Sequence, residues 1–496
     1  MARPCAARRF VLLAPVGFAL ILFASSALAQ NPPADTERPW LGVIFGPAPN
    51  SPNQLLVKDV TPDSPAAKGG LTSGDEVVKY DGQELEDIQV YRGWLRQLKV
   101  GQKVVFSVKR GDKALDLEVV VGPRPGEKTE APVKPRAPAE ALQAGIDWLL
   151  ARQLENGSWP HADPSTLGGA QGLPSPPRTV LACLALQGLT QGPKCAAAYQ
   201  KGLAYLLARR QPHGYVAEPE DALKLGNYST AFMLRLLVQD DPVRHKEAIA
   251  DFVAYFEREQ LQESNKFFPF DWPHGGWNYF DEIRRSMLRA DVTLSACVLH
   301  GISLAGVRGD TPVVKRALTF LYKCQNYDQP RDHNDGGFYF SPRNSKAGQY
   351  SGNQGEIVLD SYGTTTCDGF RSLLYAGLPV EDLRVQAAYR WIVKHFTVDV
   401  VPGFPEDHVI DWRLGLRYYY YYTLGLALAE YDRLSQANLD PTLAGWRAKL
   451  TGHLCTLQRA DGSWKNQVNV MGEDDPLTAT LLALNAMRTA GVAAGE

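Results

Sequence analysis

QLENGSW (Gln153–Trp159) and QRADGSW (Gln458–Trp464) share the pattern Gln-x-x-x-Gly-Ser-Trp, and reading them as the two ends of one repeat decides the fold. The glycine supplies the positive φ of a tight reversal after a helix. The glutamine offers an amide to the free backbone groups of a helix end. The tryptophan buries a large flat surface and pins the loop to its neighbour. Aligning the intervening chain on the glycine and the aromatic adds Tyr215 (QPHGY), Trp277 (PHGGW), Phe338 (NDGGF) and Phe404 (VPGF). Successive anchors are 56, 62, 61, 66 and 60 residues apart, a length that fits one helical hairpin per repeat.

Each anchor lies between two helical patterns. Before it runs an amphipathic segment, such as AEALQAGIDWLLARQ or TPVVKRALTFLYKCQ; after it runs a more apolar one, such as RTVLACLALQGL or DVTLSACVLHGISLAG. Amphipathic helices belong on the outside, with one face in solvent, and helices apolar all round belong inside. Residues 140–492 are therefore expected to close into an all-α (α/α)6 double ring. Its inner helices all run one way, so their N-termini gather at one end and favour anionic groups there. His161, His213, His274, His333 and His408 lie near the anchors, as do Asp163, Asp271, Asp335, Asp407, Asp461, Asp474 and Asp475. None of these histidines pairs at a tight zinc spacing, so no metal site is expected and no cofactor is read.

The 496-residue chain is long enough for two or more domains, and 45% hydrophobic with 21% charged residues is a globular composition. A net charge of -2 argues against a nucleic-acid binder on electrostatic grounds. Residues 1–29 read as an export signal: Arg8 and Arg9, an apolar run from Phe10 to Phe23, and Ala27-Leu28-Ala29 as a cleavage site. The run is shorter than the ~20 residues of a spanning helix, so no membrane span is expected in the mature chain, which would be periplasmic or secreted. The cysteines beyond Cys5 are dispersed and read as small buried hydrophobes, with Cys183 and Cys195 the only close pair.

Residues 38–122 change period from helix to strand. LLVKDV (Leu55–Val60), KVVFSVKR (Lys103–Arg110) and LDLEVVVG (Leu115–Gly122) alternate as strands, and Arg110–Lys113 reads as a hairpin turn. Short helices are expected around Ala66–Lys68 and over Ile88–Leu98. A proline-rich linker, 123–139, separates this small β-rich domain from the ring.

The segment Val60–Leu85, VTPDSPAAKGGLTSGDEVVKYDGQEL, with Val100–Lys113, resembles a PDZ domain of the exported bacterial type. The resemblance implies a carboxylate-binding loop at Trp40, Leu41, Gly42 and Val43, with a peptide or protein C-terminus as partner. The helical part resembles the α/α toroid of terpenoid cyclases and protein prenyltransferases, whose cyclase members carry the Gln-x-x-x-Gly-x-Trp element. In the squalene-hopene type an Asp-rich element protonates an alkene. Its nearest match here is RADVTL (Arg289–Leu294), which puts Asp291 on the central acid and Thr293 on the threonine; the flanking acids are replaced. DSYGTTT from Asp360 keeps only the first acid, and Asp368, one turn into that helix, is a second buried-acid candidate. The zinc ligands of prenyltransferases have no Cys or His counterpart in RYYYYYTLG or DDPLTATLL.

At about 100° per residue, the run Tyr418–Tyr422 must turn some phenols to the lumen; Tyr418, Tyr421 and Tyr422, with Thr293, are the expected cavity residues. The combined expectation is an exported peptide-binding or scaffold protein whose toroid takes a hydrophobic small molecule or a partner. The alternatives are a diverged cyclase using Asp291 as acid, and a carbohydrate-active ring using acids such as Asp271, Asp335 and Asp407, which would have to pair about 5 to 10 Å apart.

Overall fold

The computed structural model describes residues 39–48, 51–84, 98–123, 134–160, 174–189, 192–212, 214–216, 226–278, 290–328, 334–352, 356–406, 411–436, 438–468 and 471–493. The chain divides into two compact units, Met1–Thr129 and Glu130–Glu496, each with its own hydrophobic core. The expected export signal and most of the helix expected over Ile88–Leu98 lie outside the described residues.

In the first unit β1 (Pro39–Trp40) pairs with β8 (Gly122–Pro123). A six-stranded antiparallel sheet holds β2 (Val43–Ala48), β3 (Ser51–Val60), β4 (Glu76–Tyr80), β6 (Lys103–Arg110) and β7 (Lys113–Val120) in the order β2-β3-β4-β6-β7, with β5 (Gln83–Glu84) beside β4. β6 has the range the sequence predicts. Arg110 pairs with Lys113 across a two-residue turn. α1 (Pro65–Lys68) is capped by Ser64, whose side chain accepts from Ala67 N. Val57, Val77, Val104, Phe106 and Val108 alternate into the core. Arg110 forks onto the buried Asp75 at 2.7 and 2.8 Å. Burial opposes ionisation of Asp75, but Arg110 and the Thr72 N–H outweigh it and hold the carboxyl below its ordinary range.

The second unit alternates outer and inner helices. The outer ones are α2 (Pro138–Leu150), α4 (Pro193–Ala208), α6 (Lys246–Glu259), α8 (Pro312–Lys323), α10 (Leu383–Lys394) and α12 (Trp446–Thr456). The inner ones are α3 (Pro176–Leu186), α5 (Gly226–Asp240), α7 (Val292–Leu304), α9 (Gly363–Tyr375), α11 (Arg417–Leu434) and α13 (Pro476–Thr489). Before α9, β9 (Gln349–Ser351) and β10 (Ile357–Leu359) form a short hairpin. α8 buries Val313, Val314, Ala317, Phe320 and Leu321, one helical stripe, whereas α9 is buried on every side. Each inner helix packs on the next, and α13 packs back on α3, so the ring closes. The helical unit starts before the aligned repeat: α2 begins at Pro138, and Arg136, expected in the linker, donates to Gln458 Oε1, Arg459 O and Ala460 O.

The repeat's glycines do one job. Gly157, Gly214, Gly275, Gly336 and Gly462 have φ of +83° to +91°, and an added Cβ would lie 1.9 to 2.6 Å from a carbonyl oxygen of the next outer helix. Trp159, Trp277 and Trp464 each donate the indole N–H to a last-turn carbonyl of the outer helix before them, Leu149, Phe256 and Leu454. Trp159 and Trp464 also donate the backbone N–H to Thr179 and Thr480 of the following inner helix. Phe338 makes the same backbone bond to Thr366, and in the second copy Val216 makes it to Thr230. The anchor position there is thus Val216, one residue beyond Tyr215. In the fifth copy the Gly403 Cβ would meet Ser361 O, on an inner-helix loop, instead of an outer helix.

Candidate functional site

In the first unit the stretch Trp40–Val43 is shaped by its carbonyls. Leu41 O accepts from Ala66 N and Gly42 O from Thr61 N, both at 2.8 Å, and Ser64 Oγ also donates to Gly42 O. In trans peptides the N–H points opposite to the carbonyl, so the Gly42 and Val43 N–H groups turn away from the body of the domain. Gly42 has φ +72°, and a Cβ there would lie 2.3 Å from Ser64 Cβ. The loop runs into β2, which is at the edge of the sheet among the described residues.

In the ring the inner-helix N-terminal end, the mouth, carries charge. Asp291 is buried at the N-cap of α7, with Oδ1 accepting from Leu294 N at 2.9 Å. Phe340 O accepts from Val292 N, which sets the loop after Phe338 against that helix start. From this loop Lys346 places its ammonium 3.4 Å from the centroid of Phe340 and 5.9 Å from that of Trp412. Burial brings the Lys346 amine down to about 8, and the carboxylates of Asp291 and Asp368 act against that shift.

Deeper in the ring lies Asp368, fully buried, with four donors. Arg371 Nε and Nη2 reach Oδ1 at 3.0 and 2.7 Å, Thr423 Oγ1 reaches it at 2.5 Å, and Tyr419 OH reaches Oδ2 at 2.9 Å. Arg371 is 1% exposed. Burial opposes its charge, but Asp368 keeps the guanidinium well above its ordinary value. Further in, Arg235 of α5 donates to Tyr422 OH of α11 at 3.0 Å. These helices face each other in the ring order, so the bond spans the lumen. His300 stacks on Tyr375 at 4.3 Å and is held well below its ordinary value by burial and by Arg235, Arg371 and Arg308.

The tyrosine run takes a register the sequence does not give. Tyr419 and Tyr422 face the lumen. Tyr418 OH instead donates to Lys465 O, and Tyr421 OH sits 3.1 Å from His453 Nε2 on outer helix α12. The expectation of Tyr418 and Tyr421 as cavity residues is therefore corrected: one turn of helix carries their hydroxyls outward, and Tyr419 takes the inward position. Tyr422 is buried with its hydroxyl on Arg235, and Thr293 is half-buried in the first turn of α7.

Two loop acids are fasteners. Asp335 Oδ2 accepts from Trp391 Nε1 and Asp461 Oδ2 from Trp148 Nε1, while each Oδ1 binds its own loop. Asp271 Oδ2 accepts from Phe268 N, His274 Nε2 pairs with Glu263, and Asp475 caps α13 while pairing with Arg178 at 2.8 Å. Asp163, Asp407, His161, His213, His333 and His408 lie outside the described residues. The six cysteines from Cys183 to Cys455 are free. Among the described residues no three His, Cys, Asp or Glu side chains group to hold a metal ion, and no helix is long and apolar enough to cross a membrane.

Residues 39–121 match the family model described as PDZ domain. This segment is a PDZ domain. Its similarity runs to a probable periplasmic serine endoprotease DegP-like of Halomonas elongata, 30% identical over 103 residues, 19% of this chain and 22% of that protein. The serine endoprotease DegS of Haemophilus influenzae is 31% identical over 84 residues, 17% of this chain and 25% of that one. The chain thus spans about a fifth to a quarter of the length of these relatives. Among solved structures, an HtrA-type protease AlgW with decapeptide is 30% identical over 18% of this chain and 30% of that one, TM-score 0.17. The type II terpene cyclase MstE from Scytonema is 14% identical over 72% of this chain and 99% of that one, TM-score 0.45. The toroid rests here on its own closed ring of inner helices.

Three toroid residues carry weight that the sequence does not flag. Arg371 stands three residues after Asp368, a spacing that marks a helical ion pair. Lys346 sits in a loop with no periodicity to flag it. Glu473 is buried and caps α11 from another hairpin: its carboxylate accepts from Tyr418 N, Tyr419 N and Asn466 Nδ2. Burial pushes Glu473 up to about 7, against those donors.

Proposed function

We propose that this is an exported binding protein: the PDZ domain captures a peptide or protein C-terminus on Trp40–Val43 and β2, and the toroid holds an apolar ligand at its mouth. The carrying observation is the pair of inward carbonyls at Leu41 and Gly42, which leaves two N–H groups for a terminal carboxylate and an open edge for the rest of the peptide. Export is supported by the N-terminal signal pattern and by the periplasmic relatives of the PDZ domain.

Binding is favoured over alkene protonation by the state of the acids. A proton donor must hold its proton, whereas Asp368 accepts four hydrogen bonds, two of them from Arg371. Asp291 is engaged as a helix cap. The carbohydrate-active reading is weakened because Asp335 fastens its loop to the Trp391 indole and Asp271 accepts from Phe268 N in its own turn. Calorimetric titration of the full chain with peptides ending in a free carboxylate, beside the same peptides amidated, tests the first half. Binding that requires the carboxylate supports it, and equal binding or none removes it. Squalene turnover abolished by Asp291→Asn would instead establish the enzyme reading.

A further inference from the structure

Lys346 stands apart from the other described lysines of the toroid. Lys323, also half-buried, donates to Pro269 O and Asp271 O. The half-buried Lys346 has no hydrogen-bond or ion-pair partner among the described residues. It meets the faces of Phe340 and Trp412 and the field of two carboxylates, Asp291 and Asp368. Its place is fixed by a braced turn. Ser341 and Asn344 exchange backbone hydrogen bonds at 3.0 Å, Ser345 Oγ donates to Asp360 O at 2.6 Å, and Asp360 N donates to Gly348 O. The loop thus holds one amine against two aromatic faces, within the field of two buried carboxylates, on a backbone that does not need that amine for its own structure.

We propose that Lys346 is a covalent-capture residue that forms an imine with an apolar aldehyde entering the toroid. The neutral amine attacks the carbonyl carbon, forming a C–N bond while the carbonyl π pair moves to oxygen. A proton passes from nitrogen to that oxygen and gives the carbinolamine. Breaking the C–O bond then releases water, its second proton coming from solvent, and leaves the protonated imine. No oxidant or reductant is required. Three features act together: an amine brought to about 8 is partly unprotonated near neutrality; the aromatic faces accept an apolar chain and stabilise the cationic imine; the two carboxylates offset its charge.

This inference rests on the reading of the toroid as an apolar-ligand site, and the experiment separates the two. Decanal is incubated with the full-length wild-type protein and cyanoborohydride, and the reduced adduct is mapped by peptide mass spectrometry. The expected result is one decyl group, on Lys346, with a rate that rises through about pH 8 and is lost in Lys346→Met. Calorimetry with decan-1-ol, which has no carbonyl, reports the apolar-ligand reading alone. Decanol binding with decyl groups spread over exposed lysines and Lys346 unmodified overturns the inference and spares that reading. Absence of both overturns both. Because labelling is read on the wild-type chain, poor folding of Lys346→Met does not blunt the test.

Discussion

Gln458 donates its side-chain amide to Gly462 O at 2.9 Å and to Ala141 O at 2.7 Å, fastening the last loop of the ring to its first outer helix. Gln153 does the same to Gly157 and Ala198, Gln260 to Gly275 and Val313, and Gln325 to Gly336 and Arg384. The glutamine is therefore an inter-hairpin staple, and at Gln458 it is the closure of the ring.

Replacing Gln458 by Leu leaves two carbonyls without this donor. A loss of roughly 2 kcal/mol is expected, from about 1–3 kcal/mol for each buried group left unsatisfied and partial relaxation at the seam. Urea unfolding followed at 222 nm in the full chain reports it, since the helices lie in the toroid. An unchanged midpoint would show that the seam is held elsewhere.

Gly275 and Gly306 share positive φ, +90° and +92°, but differ in surroundings: a Cβ on Gly275 would lie 1.9 Å from Arg316 O, and one on Gly306 meets nothing within 4 Å. Gly306→Ala is expected to cost about 1 kcal/mol, from backbone strain alone. Gly275→Ala should cost at least about 3 kcal/mol, because outer helix α8 must move. Equal melting temperatures for the two variants would refute the close-packing account of the repeat glycine.

The Asp368–Arg371 pair is buried, so losing one partner strands the other charge. Asp368→Asn and Arg371→Met are each expected to cost about 3–5 kcal/mol, and the double variant less than their sum. A double-mutant cycle by denaturation checks the coupling; additive losses would mean the pair does not act as a unit.

Glu473 has a folded-state value of about 7 against an ordinary 4.5. Folding thus favours its protonated form. The stability it contributes is full below about 4.5 and is lost as pH rises through about 7. Comparing wild type with Glu473→Gln from pH 4 to 8 isolates this contribution: the difference in stability should change across that window, and a pH-independent difference would count against it.

Much of the fold is legible in the sequence because its fasteners are local. A positive-φ glycine followed by an aromatic residue survives in graded copies, and the outer stripes follow helical period. Gln260 and Gln325 escape notice because 15 and 11 residues separate them from the glycines they bind, so the motif spacing is lost while its chemistry is kept. The site is less legible. The tyrosine run marks helix α11 but not its phase, so the sequence alone points to Tyr418 and Tyr421 where the fold turns Tyr419 inward. Asp368 was visible, and its partner Arg371 lies one turn on. Glu473 caps α11 from another hairpin, and Lys346 meets Trp412 from more than one hairpin away, so both depend on the fold.

The most direct test of the central claim is amide-resolved NMR of the full chain titrated with a peptide bearing a free C-terminal carboxylate. The account predicts the largest shifts at the Gly42 and Val43 amides and along β2, lost when the peptide is amidated. Shifts centred elsewhere, or none with any free-carboxylate peptide in a varied pool, would contradict it.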